Sequence, residues 1–433
     1  MPWNKAIECL PRKELRKLQL EKLKATVAWV NDRVPFYKRR LEEAEVSADD
    51  IKSVEDVVKL PVTVKNDLRD NYPFDLCAVP MQDLVRVHAS SGTTGKPITG
   101  PYTQKDLDQW GECMARNLWA AGIRREDVVQ NAYGYGLFTG GLGFHEGALK
   151  LGCNVVPTSS GMTERQITLM RDFRTNALLC TPSYALTIAE RAEEMKVNFK
   201  DLPLRVGVFG AEPWTPSMRQ EIEARMGINA MEAYGLTELG GPGVAFDCRE
   251  QNGLHINEDY FLAEVVDPLT LEPVPMGEKG ELIFTSIQRQ AMPMIRYRTK
   301  DITRFIPEPC ACGRTLMRMD KITGRTDDML IISGVNVFPS QIESLLLDID
   351  EIEPQYVIIV RKKGYLDQLT VRTEAKKALY DAGAEKMAEV EAKVSEHIRG
   401  MLGIGVKVEL VEPKLITRSE GKAKRVFDER PKG

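Results

Sequence analysis

The chain has 433 residues, room for two to three domains at roughly 150 each, and enough to bury a core without a disulfide or metal merely to fold. Hydrophobic residues at 43% and charged residues at 28% exclude a disordered or fibrous chain. Fifty-nine basic against 63 acidic residues, net −4, exclude nucleic acid as a main partner, because phosphate neutralisation needs a concentrated basic face. No apolar run approaches the roughly 20 residues of a membrane-spanning helix, so no membrane partner is expected. Met1-Pro2-Trp3-Asn4-Lys5 opens a polar stretch without the apolar centre of a signal peptide. The eight cysteines are dispersed and mostly sit in apolar segments, which reads as reduced thiols and a cytoplasmic location.

Residues 11–45 place Leu15, Leu18, Leu23, Val27 and Val30 at helical spacing among Lys, Arg and Glu, which predicts surface helices buried along one face. Leu84–Ala89 reads as a strand and Gln104–Ala121 as a helix capped by Thr103. Val128–Ala132, Val155–Pro157, Ala177–Cys180 and Val206–Phe209 are further strands with helices between them, the alternation of an α/β fold on a largely parallel sheet. From Leu254 to about Ile306 the text turns to strands and turns. The polar punctuation Gly324–Asp328 divides the chain into expected domains 1–326 and 327–433. After it come a strand at Met329–Ile332, a helix at Ser340–Leu347, strands at Tyr356–Val360 and Gln368–Arg372, and a helix at Lys386–Ile398. The last segment, from Ile416, is basic and polar.

Ser90-Ser91-Gly92-Thr93-Thr94-Gly95-Lys96-Pro97 follows a strand directly. Its glycines permit close backbone approach, and its hydroxyls, amides and one lysine suit a polyphosphate. It is not a Walker A loop, which would need Gly at Ser90 and Ser or Thr at Pro97. Ala233-Tyr234-Gly235-Leu236-Thr237-Glu238 ends a strand with a ring that could stack on a base, a hydroxyl for a phosphate and a carboxylate for Mg²⁺. Tyr297-Arg298-Thr299-Lys300-Asp301 offers a carboxylate for ribose hydroxyls, and Gly324–Asp328 and Arg418–Val426 complete the series. Taken singly, each has an ordinary reading as a polar turn, a capped loop or a solvated charge.

In this order the five segments resemble the adenylate-forming superfamily of acyl-CoA synthetases and luciferase-like enzymes. Tyr133–Gly141, Gly210-Ala211-Glu212-Pro213-Trp214 and Ser333–Pro339 look like that family too, so the resemblance runs from about residue 30 to the C-terminus. It implies a large multi-sheet N-terminal adenylation domain with a smaller, mobile α+β C-terminal domain. It implies that the Ser90–Lys96 loop covers the ATP phosphates, and that Gly210, Ala211, Glu212, Tyr234 and Gly235 surround the adenine. Thr237 and Glu238 would meet the α-phosphate and Mg²⁺, Asp301 and Arg325 the ribose. Asp327 would be the hinge, and Lys422 the catalytic lysine of adenylation, with Lys424 as its nearby rival. Where many acyl-CoA synthetases carry arginine this chain has Asn336, so no phosphate contact is carried over there.

The implied reaction is attack of a carboxylate on the α-phosphate of MgATP, followed by displacement of AMP by the coenzyme A thiolate. Tyr135, Phe138, Gly140 and Gly141 fit a flat slot with aromatic walls and glycines leaving room for a ring, and the resemblance favours an aryl-acetic acid such as phenylacetate. Another aryl or short acid, a carrier-protein thiol as acceptor, or a nucleotide-sensing protein without catalysis are the alternatives. The expected partners are the acid, ATP and CoA; the oligomeric state is left open, a homodimer included. Apart from this chemistry, Cys248, His255, Cys310 and Cys312 supply three thiolates and one imidazole, a set for a closed tetrahedral structural Zn²⁺.

Overall fold

The structure, a computed structural model, describes residues 1–90, 97–326, 328, 330–332, 335–363 and 366–430, with the backbone alone at 331, 335, 336, 363 and 366. Contacts divide it into two compact units, one of Met1–Cys180, Lys200–Ala211 and Asn229–Ile322, the other of Thr181–Phe199, Glu212–Ile228 and Thr323–Gly433.

The first unit opens with helices α1 (Lys5–Glu8), α2 (Arg12–Arg33), α3 (Pro35–Glu43) and α4 (Lys65–Asp70). The stripe of α2 buries Leu15, Leu23, Val27 and Val30 as its spacing requires, while Leu18 stays half-buried. Gln19 is also buried, and it donates to the Glu258 carbonyl at 3.0 Å. Strands β1 (Arg86–Ala89) and β2 (Thr99–Tyr102) form an antiparallel hairpin. Helix α5 (Gln104–Ala120) starts where expected: the Thr103 hydroxyl accepts from the Asp106 amide and the Asp106 carboxylate accepts from the Thr103 amide.

Next come β3 (Val128–Asn131), α6 (Thr139–Leu151), β4 (Asn154–Val156), α7 (Thr163–Asp172), β5 (Ala177–Cys180), β6 (Val206–Gly210) and β7 (Asn229–Leu236). They are followed by β8 (Gly241–Phe246), β9 (Leu254–Ile256), β10 (Phe261–Val266), β11 (Gly280–Ser286), β12 (Tyr297–Thr303), β13 (Phe305–Ile306) and β14 (Arg318–Met319). Strands β10, β11 and β12 pair antiparallel in a separate sheet.

The main sheet runs β13-β14-β9-β8-β7-β6-β5-β3-β4. Only its half from β4 to β7 is parallel, which corrects the expectation of a largely parallel sheet. After β7 no helix crosses over. The chain reverses through a single 3₁₀ turn, Thr237–Leu239, and Gly240 at φ 104° lets β8 return antiparallel beside β7. β5 and β6 are wholly buried, as continuous apolar runs of covered parallel strands are.

The second unit holds α8 (Pro182–Glu194) and α9 (Pro216–Met226). Each begins Thr-Pro: the Thr181 and Thr215 hydroxyls accept from the Tyr184 and Met218 amides, and proline fills the first helical position, which needs no N–H. Beyond lie β15 (Gly324–Arg325), β16 (Leu330–Ile332), β17 (Val335–Val337), α10 (Pro339–Leu347), β18 (Ile352–Lys363), β19 (Leu366–Ala375), α11 (Lys377–Asp381), α12 (Ala384–Leu402), β20 (Val406–Val411) and β21 (Val426–Asp428). The β20-β19-β18-β21 sheet is antiparallel at its centre and parallel at both flanks. Ile342 and Leu346 of α10 and Val390, Val394 and Ile398 of α12 share a core with Ile358, Val360, Leu369 and Val371 of the sheet. Among the described residues no helix is long and apolar enough to cross a membrane.

Candidate active site

The Tyr234–Glu238 motif runs from the end of β7 into the turn that reverses the main sheet. Gly210 at the end of β6 lies in register with Ala233, so Gly210-Ala211 and Tyr234 emerge side by side at the carboxyl edge of the parallel half, where open α/β sheets bind ligands. The Tyr234 hydroxyl donates to Asp301 Oδ2 at 2.6 Å, joining the expected adenine and ribose residues. Asp301 is buried on β12, and its amide donates to the Thr299 hydroxyl. A carboxylate steadied this way presents an acceptor pair suited to vicinal hydroxyls.

Thr237 and Glu238 are buried in the turn. Glu238 Oε1 accepts from the Tyr297 hydroxyl at 3.2 Å, and Lys65 Nζ lies 3.9 Å away. A buried carboxylate with these partners and no bidentate arginine fits a hard divalent cation. Arg289 holds the turn from behind, donating to the carbonyls of Glu238 at 3.0 Å and Pro101 at 3.1 Å, with its guanidinium over the Tyr102 ring. Neither Lys65 nor Arg289 carries a local signal in the sequence. Lys65 arrives through Thr63, whose amide and carbonyl bond the backbone of Arg296 and Arg298 beside Tyr297.

Around the expected acid slot, Asn131 Nδ2 donates to the Tyr135 hydroxyl at 2.8 Å, and His145 Nδ1 is 3.0 Å from it. Burial pushes the Tyr135 pKa up to about 12 against the Asn131 hydrogen bond, so the group is a neutral phenol. Phe138 is 43% exposed and so free to meet a ligand. A Cβ on Gly140 would stand 3.0 Å from the Phe138 ring, close to the slot wall. Gly141 needs correcting. A Cβ there would lie 2.5 Å from the Gly134 carbonyl oxygen, so this glycine lets α6 seat against the backbone rather than making room for a ring.

In the second unit, Glu212 is bonded within that unit. Its two carboxylate oxygens accept from the amides of Ser183 at 2.7 Å and Ala423 at 2.9 Å. Burial raises its pKa in spite of those bonds. Its side chain ties the C-terminal segment down, as do the Thr181 hydroxyl on the Gly421 carbonyl and Arg418 forked between Glu190 and Glu374. Lys422 is exposed and makes no hydrogen bond or ion pair among the described residues, whereas Lys424 Nζ sits 4.7 Å from the Phe427 ring centroid. Arg325 Nε is 3.5 Å from Asp328 Oδ2.

Ser91, Gly92, Thr93, Thr94, Gly95, Lys96 and the hinge candidate Asp327 lie outside the described residues, as do Ser333 and Gly334. Ser90 closes the base of the first loop: its amide donates to the Ile98 carbonyl, and its hydroxyl accepts from the Ile98 amide.

Off this site, ligand atoms of Cys248, His255, Cys310 and Cys312 all lie within 4.8 Å of one another. Cys248 follows β8, His255 is on β9, and the other two are in the loop between β13 and β14.

The chain matches the family model of AMP-binding enzymes over residues 8–292 and that of the AMP-binding enzyme C-terminal domain over 334–430. It is 48% identical to a phenylacetate-coenzyme A ligase of Thermus thermophilus over 99% of both chains. It is 49% identical to one of Escherichia coli over 98% of this chain and 96% of the other. A crystal structure of 2-hydroxyisobutyryl-CoA ligase in the postadenylation state with 2-HIB-AMP is similar at TM-score 0.93 and 31% identity, covering 98% of this chain and 91% of that one. The same ligase with 2-HIB-AMP and CoA in the thioesterification state is similar at TM-score 0.73 and 32% identity, over 98% and 92%.

Proposed function

This chain belongs to the AMP-binding enzyme family, and we propose that it is an AMP-forming acid–thiol ligase joining an aryl-acetic acid, phenylacetate first, to coenzyme A. The observation that carries the reading is Tyr234 at the end of β7 with Thr237 and Glu238 on the sheet-reversing turn that follows, and Asp301 held on Tyr234, in a chain that matches phenylacetate-coenzyme A ligases over nearly its whole length.

In the first step the carboxylate oxygen bonds to the α-phosphorus of ATP, and the bond to pyrophosphate breaks, giving an acyl-adenylate. In the second the CoA thiolate bonds to the acyl carbon and AMP leaves. No side-chain nucleophile is needed, because the mixed anhydride supplies the activation. Tyr234, Gly235 and the Gly210-Ala211-Glu212 segment frame the adenine, Asp301 and Arg325 the ribose hydroxyls, and Ser90–Lys96 the ATP phosphates. Glu238, backed by Thr237, would hold Mg²⁺, which when bound neutralises phosphate charge. Lys65 adds a second cation beside that carboxylate. Lys422 stabilises the charge that develops between carboxylate and α-phosphate. The slot by Tyr135, Phe138 and Gly140 takes the aromatic ring, and the neutral Tyr135 phenol, fixed by Asn131 and His145, forms its wall.

Both steps act on one acyl carbon, so Lys422 and the thiol need it in turn. Rotation of the part after Asp327 between the steps resolves that conflict, and a relative described in both postadenylation and thioesterification states supports it. A structural Zn²⁺ at the cysteine–histidine cluster, a cytoplasmic location and a homodimer complete the proposal, the last checked by sedimentation. The test is a panel of carboxylic acids assayed for CoA- and ATP-dependent AMP formation. Phenylacetate or a ring-substituted relative should turn over best; preference for acetate or long-chain acids would contradict the reading.

A further inference from the structure

The cysteine–histidine cluster stands apart from the reaction, and the structure gives it metal geometry. A tetrahedral Zn²⁺ with bonds of ~2.3 Å to sulfur and ~2.05 Å to nitrogen places two thiolates about 3.8 Å apart and a thiolate and imidazole about 3.6 Å apart. Cys248 Sγ and Cys310 Sγ are 3.7 Å apart, and Cys312 Sγ and His255 Nε2 are 3.4 Å apart. All four cysteine and histidine side chains are at least half-buried, and the three thiols are free, not paired as disulfides. Four protein ligands leave no open position, which makes such a site structural rather than catalytic.

The surroundings show what such an ion would fasten. The loop between β13 and β14 contains Pro307, Pro309 and Gly313 and few apolar anchors. Its outer side is bound to the first residues of the chain. Arg314 and Glu8 form a buried ion pair at 2.6 Å, Thr315 bonds the carbonyls of Glu8 and Leu10, and the Cys9 thiol donates to the Gly313 carbonyl. Leu10 and Leu15 pack in one cluster with Cys248, Cys310, Phe246 and Leu316. The inner side of the loop reaches β8 and β9 through Cys310 and Cys312. An irregular loop pays the full entropy of ordering, and a metal shared by β9, the segment just after β8 and that loop offsets it.

We propose that Cys248, His255, Cys310 and Cys312 hold one Zn²⁺, and that the ion fastens the N-terminal residues 4–15 to the antiparallel half of the main sheet by ordering the loop between them. This goes beyond the ligase reading and does not depend on it.

The experiment uses the full chain purified without added metal. Elemental analysis should give one zinc per chain, and Co²⁺ exchanged into the site should show thiolate-to-cobalt charge-transfer absorption of a tetrahedral centre. Cys312→Ser should weaken metal binding by ~100-fold or more. It should also speed proteolysis and hydrogen exchange within residues 4–15 by about tenfold, while Lys422→Ala changes neither. If Cys312→Ser does not fold, stripping zinc from the unaltered chain with a chelator and following exchange in residues 4–15 gives the same readout. Protein that holds no zinc and gives no cobalt spectrum would overturn the site. Zinc loss with unchanged protection of residues 4–15 would overturn its fastening role.

Discussion

The Tyr234–Asp301 region and the segment around Lys422 are built on opposite principles. In the first, the polar side chains are held by neighbours: the half-buried Tyr234 on Asp301, Tyr297 on Glu238, Arg289 on the turn carbonyl. In the second, the backbone is tied by Glu212, Thr181 and Arg418, while the Lys422 ammonium stands exposed and unpartnered among the described residues. The difference teaches a division of labour. On the proposed reading, the groups that bind the nucleotide through the whole cycle are preorganised by neighbours, which removes reorganisation at the moment of reaction. On the same reading Lys422, needed in one step only, is left without a partner to give up among the described residues, on a segment held around it through Gly421, Ala423 and the Arg418 side chain.

Lys422→Ala should break that division most severely. Removing one charge-assisted contact made mainly in the transition state costs ~3 kcal/mol, about a hundredfold in rate. Single-turnover kinetics should show that loss in acyl-adenylate formation, with thioester formation from supplied acyl-adenylate largely intact. Equal loss in both steps would move Lys422 out of its assigned role.

Arg289→Met should come next. It strands two buried carbonyls, and a hydrogen bond to a charged group is worth ~1.5–3 kcal/mol, so the KM for MgATP should rise about tenfold or more. Arg289→Lys should recover part of that; a variant with normal KM would show that the turn holds itself. Tyr234→Phe removes a single hydrogen bond to Asp301, and at ~1 kcal/mol the KM for ATP should rise about fivefold while the KM for the acid stays put.

Gly141→Val sharpens the slot. Overpacking against Gly134 should cost ~1–3 kcal/mol of stability, read as a lower unfolding midpoint, with no selective loss of acid binding. A selective rise in the acid KM would restore Gly141 to the slot. Lys424→Ala should change adenylation least, less than about twofold, because its ammonium is engaged on the Phe427 ring.

What the sequence made legible follows from how local each signal is. The α2 stripe, the Thr103 cap and the buried strands β5 and β6 rest on spacing within a few residues, and the structure places them as the spacing requires. The four cysteine and histidine side chains of the cluster were legible by type and meet in space. The antiparallel half of the main sheet was not, because one 3₁₀ turn and Gly240 decide the strand direction and resemble any loop in text. Lys65 and Arg289 were invisible because tertiary pairing alone brings them to Glu238. Glu212 sits in a motif that points at the adenine, yet its carboxylate is committed to two backbone amides, and no spacing rule reports where a side chain is already bonded.

The central claim, an acyl-adenylate formed by direct carboxylate attack on the α-phosphorus, is tested most directly by isotope transfer. Phenylacetate labelled with ¹⁸O in both carboxylate oxygens is turned over with ATP and CoA, and the AMP and pyrophosphate are weighed by mass spectrometry. The account predicts one labelled oxygen in every AMP and none in pyrophosphate, because the oxygen that bonds to phosphorus stays there when the thiolate displaces AMP from the acyl carbon. Unlabelled AMP, or label in inorganic phosphate with ADP as the other product, would contradict it.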